Sequence, residues 1–313
     1  MTALPIGGGR VLALDREHPL LMGIVNTSPE SFSDGGLLPD TGAQVAHGRR
    51  LVAEGAALVD VGGESGVTDR PPVTAGEEIR RIVPVVERLA AAGVVVSADT
   101  WKPPVARAAL AAGAAIVNDP SGLSDPALAT ACAEHGAALV VSHTRAAPKI
   151  KAFPSYEGDV VADVIAFLGD RVRTAERLGV AGERIVVDPG LDLAKTPAQS
   201  VELLRRLDEL HELGRPILLA ASRKDFVGAL TGRPPAARLA GTLAALDAGA
   251  SAAAILRVHE VAPAVDFLAV RAALRGAQPI DPGLELVEEL RREPARGSRP
   301  RLRRAGRVTS SLP

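Results

Sequence analysis

The sequence predicts an α/β fold, a single closed (β/α)8 barrel, on three observations. Strand-like apolar runs alternate with helix-like segments, the signature of parallel strands joined by crossover helices. Eight such runs lie between residues 20 and 259, and eight β/α units usually occupy about 250 residues. Seven of the runs carry a polar residue at their C-terminal end: Asn26, Asp99, Asn118 (with Asp119 next), His143, Asp188, Ser222 and His259. An open, doubly wound sheet needs such residues only beside its switch point, whereas every strand of a barrel ends at one mouth. The closed TIM-barrel architecture is therefore preferred.

Taken in order, the strand-like runs are residues 20–26, 57–62, 94–99, 114–119, 137–143, 184–188, 216–222 and 252–259. The first passes from apolar residues into a loop of Asn, Ser, Asp and Gly that ends at Gly36, the kind of loop on which α/β proteins place ligand chemistry. Between the runs, 3.6-residue spacing predicts helices over 75–91, 104–112, 159–178 and 198–213. Gly93, Gly113, Gly136, Gly179 and Gly214 stand just past helical segments, where left-handed C-caps are expected.

Hydrophobic residues make up 47% of the 313 positions and aromatics 2%. The core is thus aliphatic and alanine-rich, which suits parallel strands under close-packed helices. Cys132 is the only cysteine, which excludes an internal disulfide and a cysteine-cluster metal site. No basic segment leads into a short apolar run and no stretch reaches about 18 apolar residues, so a cytoplasmic location with no membrane partner is expected. Residues 290–313 hold eight arginines and one glutamate, a net of +7; the formal charge of −1 therefore leaves −8 on residues 1–289. We divide the chain into a barrel over 1–281 and an Arg-rich tail over 282–313, which is expected to be disordered because it shows no apolar period. No aromatic side chains interleave the arginines, so a nucleic-acid partner is not expected.

Burying a carboxylate at the end of an apolar strand is costly unless something pairs with it. Asp119, followed by Pro120, reads as a helix cap. For Asp99, Asn118 and Asp188 together, a shared ligand is more economical, and a flat heterocycle with several N–H donors suits three such acceptors. Arg257 and His259 share one face of the last strand, as a phosphate site requires. Asn26 alone would be a turn residue ahead of Ser28 and Pro29. The segment 190–196 is not a P-loop, because it has three residues where four are required and Ala194 where glycine must be. The glycine run 7–9 lacks the spaced glycines of a dinucleotide site.

Six motifs between residues 20 and 274 resemble, in order, those of the dihydropteroate synthases. The first, GIVNTSPESFSDGG over 23–36, is similar to the family's GILNVTPDSFSDGG. It is followed by GGES at 62–65, SADT at 97–100, VND at 117–119, DPG at 188–190, and the pair SRK at 222–224 and RVH at 257–259. The resemblance implies a transferase of folate biosynthesis that joins 6-hydroxymethyl-7,8-dihydropterin pyrophosphate to p-aminobenzoate. It implies that Asp99, Asn118 and Asp188 hold the pterin, that Lys224 serves the pterin and p-aminobenzoate region, and that Ser222 lies near the p-aminobenzoate carboxylate. Arg257 and His259 would bind pyrophosphate, Asn26 would hold Mg2+ with it, and the chain would pair as a homodimer.

Two segments depart from the pattern. Where the family continues TRPG after GGES, this chain has Gly66, Val67, Thr68 and Asp69, so the family's arginine and proline fall at Val67 and Thr68, with Arg70 three residues beyond the arginine's place. Leu193 and Asp192 replace a phenylalanine and a glycine. These changes lie on the second-substrate side and leave open a divergent paralogue with weak or altered activity. A folate-binding methyltransferase-type barrel is a third reading, with no use for a pyrophosphate site.

Overall fold

Alternation within each strand decides which side chains fill the barrel and which meet the helices. The computed structural model describes residues 2–15, 17–28, 38, 40–66, 68, 71–156, 158–286 and 290. Within them β1 (Thr2–Pro5) and β2 (Val11–Leu14) form an antiparallel hairpin. The barrel strands follow as β3 (Leu20–Asn26), β4 (Leu58–Gly62), β5 (Val96–Asp99), β6 (Ile116–Asp119), β7 (Ala138–Ser142), β8 (Ile185–Asp188), β9 (Leu218–Leu219) and β10 (Ile255–Val258). All eight are parallel, in the order β8-β7-β6-β5-β4-β3-β10-β9. A single parallel bridge between Val187 and Ile217 joins the two ends of that order, so the predicted barrel is observed.

Odd-even alternation sorts the side chains into two cores. Val59, Val61, Val96, Ala98, Val117, Leu139, Val141, Val187 and Leu256 pack outward in the layer shared with the helices. Met22, Leu58, Ile116, Ala138, Val186, Leu218 and Ile255 form a separate inner core. Since successive side chains point to opposite faces, the inner position two residues beyond Leu58 is Asp60. By the same step Ile116 leads to Asn118, Val186 to Asp188 and Ile255 to Arg257. The residues that carry the mouth's charge are therefore barrel-interior positions one layer above an apolar floor.

The hairpin closes that floor. Leu4, Ile6 and Leu14 join the inner core, the Gly7 amide donates to the Ala115 carbonyl (2.9 Å), and Arg184 donates to the Ile6 carbonyl (3.2 Å). The glycine run 7–9 thus turns the hairpin beneath the barrel, an element that the alternation of longer runs did not reveal.

The helices are α1 (Thr41–Ala53), α2 (Ala75–Ala91), α3 (Pro103–Ala111), α4 (Ala127–Glu134), α5 (Val160–Arg177), α6 (Pro197–Arg205), α7 (Asp225–Thr231), α8 (Leu239–Gly249) and α9 (Val261–Leu274). The five predicted C-cap glycines have φ between 58° and 106°. Two expected elements are shorter than their apolar runs. The helix expected over 198–213 stops at Arg206, whose guanidinium reaches across to Asp159 at 3.0 and 3.1 Å. Leu207–Leu213 continues as a 3-10 helix, in which buried Leu207 and Leu210 recur every third residue as that tighter turn requires. Of the run 216–222 only Leu218–Leu219 keeps a ladder, because its other neighbour, β8, is reached by the single bridge. The expected disorder of the tail concerns residues that, from 291 onward, lie outside those described.

Candidate active site

Four strands deliver one charge cluster to the mouth. Arg257 on β10 donates from Nε to Asp60 Oδ2 (2.6 Å) and from Nη2 to Asp99 Oδ2 (2.7 Å). Asn118 Nδ2 donates to the same Asp60 oxygen at 2.9 Å, which turns its carbonyl away as an acceptor. Asp60 is fully buried, and its Oδ1 has no hydrogen-bond partner among the described residues. A buried carboxylate oxygen left over in this way is costly unless a ligand donates to it. Burial raises the Asp99 carboxyl to about 7 against the pull of Arg257, and Asp60 adds to the rise. Asp99 still reaches solvent through the mouth, with its side chain 24% exposed.

Asp188 completes the acceptor set from β8. Its Oδ1 accepts from the Gly190 amide (2.7 Å), which fixes the carboxylate across the turn. Burial raises its carboxyl, opposed by that amide and by the charges of Lys224, Lys195 and Arg257. Gly190 (φ 67°) must be glycine, because a Cβ there would lie 1.9 Å from the His143 carbonyl oxygen.

On the opposite side, the Ser222 hydroxyl and His259 Nδ1 lie 2.9 Å apart, and the hydroxyl oxygen accepts the His259 backbone N–H at 3.2 Å. Burial, with the neighbouring charges of Arg223, Arg257 and Lys224, holds His259 well below its ordinary pKa. The imidazole is neutral, and its Nδ1 is tied to the Ser222 hydroxyl. Lys224 precedes α7, and its charge is felt at Asp99, Asp188 and His259. The structure thus gathers Asp99, Asn118, Asp188, Ser222, Lys224, Arg257 and His259 about one mouth. Arg257, expected to await an anion, instead serves as counter-ion to Asp60 and Asp99.

Sequence reasoning missed several of these groups. Asp60 sits inside an apolar run rather than at its end, and its signal was a carboxylate two residues past the inward-facing Leu58. Lys195 gave no signal beyond a failed motif. It is 2% exposed, and its ammonium donates to His143 Nδ1 (2.7 Å) and to the carbonyls of Gly190 (2.9 Å) and Leu193 (3.1 Å). Burial pushes Lys195 down to about 7, with the Asp188 charge opposing. His143, pushed down to about 3 by burial and by Lys195, is neutral and donates Nε2–H to Asp163 (3.0 Å). It therefore pins the β8–α6 loop and is no ligand group. Asp119 is structural as expected, although it caps a turn: its Oδ1 accepts from the Ser121 amide (2.8 Å) and hydroxyl (2.6 Å), and its Oδ2 accepts from the Leu123 amide.

The base of the strand-two loop is also built. Lys102 pairs with buried Glu64 and Glu78 and donates to the Val73 carbonyl (2.7 Å). Val67, Asp69 and Arg70, the positions on which the loop's departure turns, lie outside the described residues, as do residues 29–36 of the first motif. Asn26 ends β3 at the mouth. Among the described residues no group of three or more His, Cys, Asp or Glu side chains could hold a metal ion. A neutral amide oxygen is a donor type that magnesium accepts when phosphate and water complete its shell.

The pterin-binding enzyme family matches residues 22–259. The dihydropteroate synthase of Mycobacterium leprae (strain TN) is 46% identical over 270 residues, 83% of this chain and 94% of the relative. That of Escherichia coli (strain K12) is 38% identical over 269 residues, 85% of this chain and 95% of the relative. The Xanthomonas albilineans dihydropteroate synthase has been solved with 4-aminobenzoic acid (44% identity, TM-score 0.80) and with 7,8-dihydropteroate (44% identity, TM-score 0.78). Each match covers 88% of this chain and all of the other.

The charge cluster makes a stability prediction. Replacing Arg257 with leucine leaves the Asp60 carboxylate buried without its counter-ion and should destabilise the fold by about 3 kcal/mol in urea unfolding. Adding Asp60→Asn to that variant should restore part of the loss. Equal stability of the wild type and the Arg257→Leu variant would refute the pairing.

Proposed function

The chain belongs to the dihydropteroate synthase family of pterin-binding enzymes, and from that premise we propose that it joins 6-hydroxymethyl-7,8-dihydropterin pyrophosphate to p-aminobenzoate. The products are 7,8-dihydropteroate and pyrophosphate. The observation that carries this reading is the acceptor set of Asp60 Oδ1, Asp99, Asn118 and Asp188, gathered from β4, β5, β6 and β8 above the apolar floor. A pterin presents several ring and amino N–H groups along one edge, and ionised carboxylates are strong partners for them.

In the reaction the amine nitrogen of p-aminobenzoate attacks the pterin methylene. A C–N bond forms, the C–O bond to pyrophosphate breaks, pyrophosphate leaves with the bonding pair, and the amine gives up a proton to solvent. No strong base is needed; the chain's task is to hold both reactants in line and to stabilise charge on the departing group. Asp99, Asn118 and Asp188 orient the pterin. Lys224 brings a positive charge between ring and nucleophile, and Ser222 stands on the p-aminobenzoate side, tied to His259. On the pyrophosphate side stand the neutral His259 imidazole and, two residues before it on β10, Arg257, whose charge also balances Asp60 and Asp99. Magnesium, held by Asn26 with pyrophosphate oxygens and water, would neutralise charge on the leaving group when bound.

The polar strand ends and the lysine turn are in place, which favours the synthase reading; the divergent-paralogue reading rests on Asp192, Leu193 and the strand-two loop, of which Val67, Asp69 and Arg70 lie outside the described residues. No helix among the described residues is long and apolar enough to cross a membrane. We assign a homodimer to the late helices, where Leu230, Val270 and Leu274 are 71%, 60% and 83% exposed. Sedimentation should then give twice the monomer mass, and a monomer at assay concentrations would rule this out.

Purified protein supplied with both substrates should release pyrophosphate in step with dihydropteroate, and only when magnesium is present. Binding of the pterin without release would support the paralogue instead. Because raising the pH ionises Asp99, affinity for the pterin pyrophosphate should fall as pH drops below about 7, approaching tenfold per unit. In Asp99→Asn that slope should vanish; if it persists, another group is titrating.

A further inference from the structure

Two loops flank the second-substrate side of the mouth, one joining β8 to α6 and the other joining β9 to α7. Both hold non-glycine residues in the left-handed region: Asp192 (φ 61°) and Ala194 (φ 53°) in the first, Arg223 (φ 58°) in the second. Such conformations cost energy and persist only where surrounding contacts fix them. A glycine would occupy the Asp192 conformation without strain, so the carboxylate must return something.

It binds both loops together. Asp192 Oδ2 accepts the backbone N–H groups of Asp225 and Phe226, the latter at 3.3 Å. Its Oδ1 accepts from the Ser200 hydroxyl (2.9 Å), and the Ser200 oxygen in turn accepts the Asp192 amide (3.1 Å). The N-cap residue of α7 is Lys224, whose side chain makes no capping bond, so the capping acceptor for this helix comes from a different loop. From the other side Arg238 Nη1 donates to the carbonyls of Arg223 (2.9 Å) and Lys224 (3.2 Å) and to Asp225 Oδ1 (2.9 Å). Its guanidinium fits there because Gly228 has no side chain; a Cβ would stand 2.2 Å from Nη2. The turn bearing Lys224 is thus held by its carbonyls from one side and by the following amides from the other.

We propose that Asp192 is a positioning residue: it locks the loop that starts at Asp188 to the turn that carries Lys224, and so fixes the pterin acid and the lysine at one separation. The inference rests on the synthase reading above. Removing the carboxylate frees the α7 end of the turn, while Asp99 and Asn118 remain on their strands. The effect should therefore fall on the second substrate.

Asp192→Gly is the informative variant, since it also relieves the backbone strain. Its KM for p-aminobenzoate should rise about tenfold, with affinity for the pterin pyrophosphate changed less than threefold by calorimetry. Asp192→Asn, whose amide oxygen can still accept from both N–H groups, should recover most of the loss. Hydrogen exchange at the Asp225 and Phe226 amides should speed up at least tenfold in Asp192→Gly. A p-aminobenzoate KM within twofold of wild type, an equal loss of pterin affinity, or unchanged exchange would each overturn the proposal. If wild type itself shows no turnover, the synthase reading fails, and the exchange measurement alone still decides whether the lock exists.

Discussion

The rest of the mouth depends on one guanidinium held between two carboxylates. Arg257 reaches Asp60 with one nitrogen and Asp99 with another, and the planar fork of an arginine is suited to such paired recognition where a lysine's single ammonium is not. Without it, two acidic side chains on adjacent strands would repel each other in a poorly solvated interior. With it, Asp60 can also accept from Asn118, which leaves the Asn118 carbonyl to serve a ligand. Charge balance, amide orientation and the open Asp60 oxygen thus share one cause.

The two sides of the mouth are built differently. The acceptor side stands on β4, β5, β6 and β8, where register and barrel packing set each side chain. The side formed by the loops after β8 and β9 gains its rigidity from side chains that take up backbone groups: Lys195 on the carbonyls of Gly190 and Leu193, Tyr156 on that of Ala194 (2.8 Å), and Asp192 on the first amides of α7. Loops fixed in this way tolerate sequence change, provided that the new residues supply equivalent bonds. That is how Asp192 can stand at a strained position.

Much of this was legible in the sequence, for a physical reason. Strand-end polar residues stand out against apolar runs, and a barrel sends all its strand ends to one mouth, so Asp99, Asn118, Asp188 and Ser222 could be found by position alone. Asp60 could not, because it interrupts a run and reads as a flaw until strand parity shows that it faces inward with Leu58. Lys195 is invisible to pattern because its partners are backbone carbonyls, which sequence does not display, and His143, far away along the chain. The floor hairpin escaped for another reason: its strands are four residues each, and its fixing contacts run to Ala115 and Arg184 far along the chain.

The central claim is that Asp60 organises the pterin acceptors through Asn118 and Arg257. A double-mutant cycle on pterin pyrophosphate affinity, with Asp60→Asn, Asn118→Ala and the double variant measured by calorimetry, tests it most directly. Asp60→Asn should weaken binding at least tenfold, and the double variant should lose much less than the product of the single losses. Wild-type affinity in Asp60→Asn, or losses that simply multiply, would contradict the account.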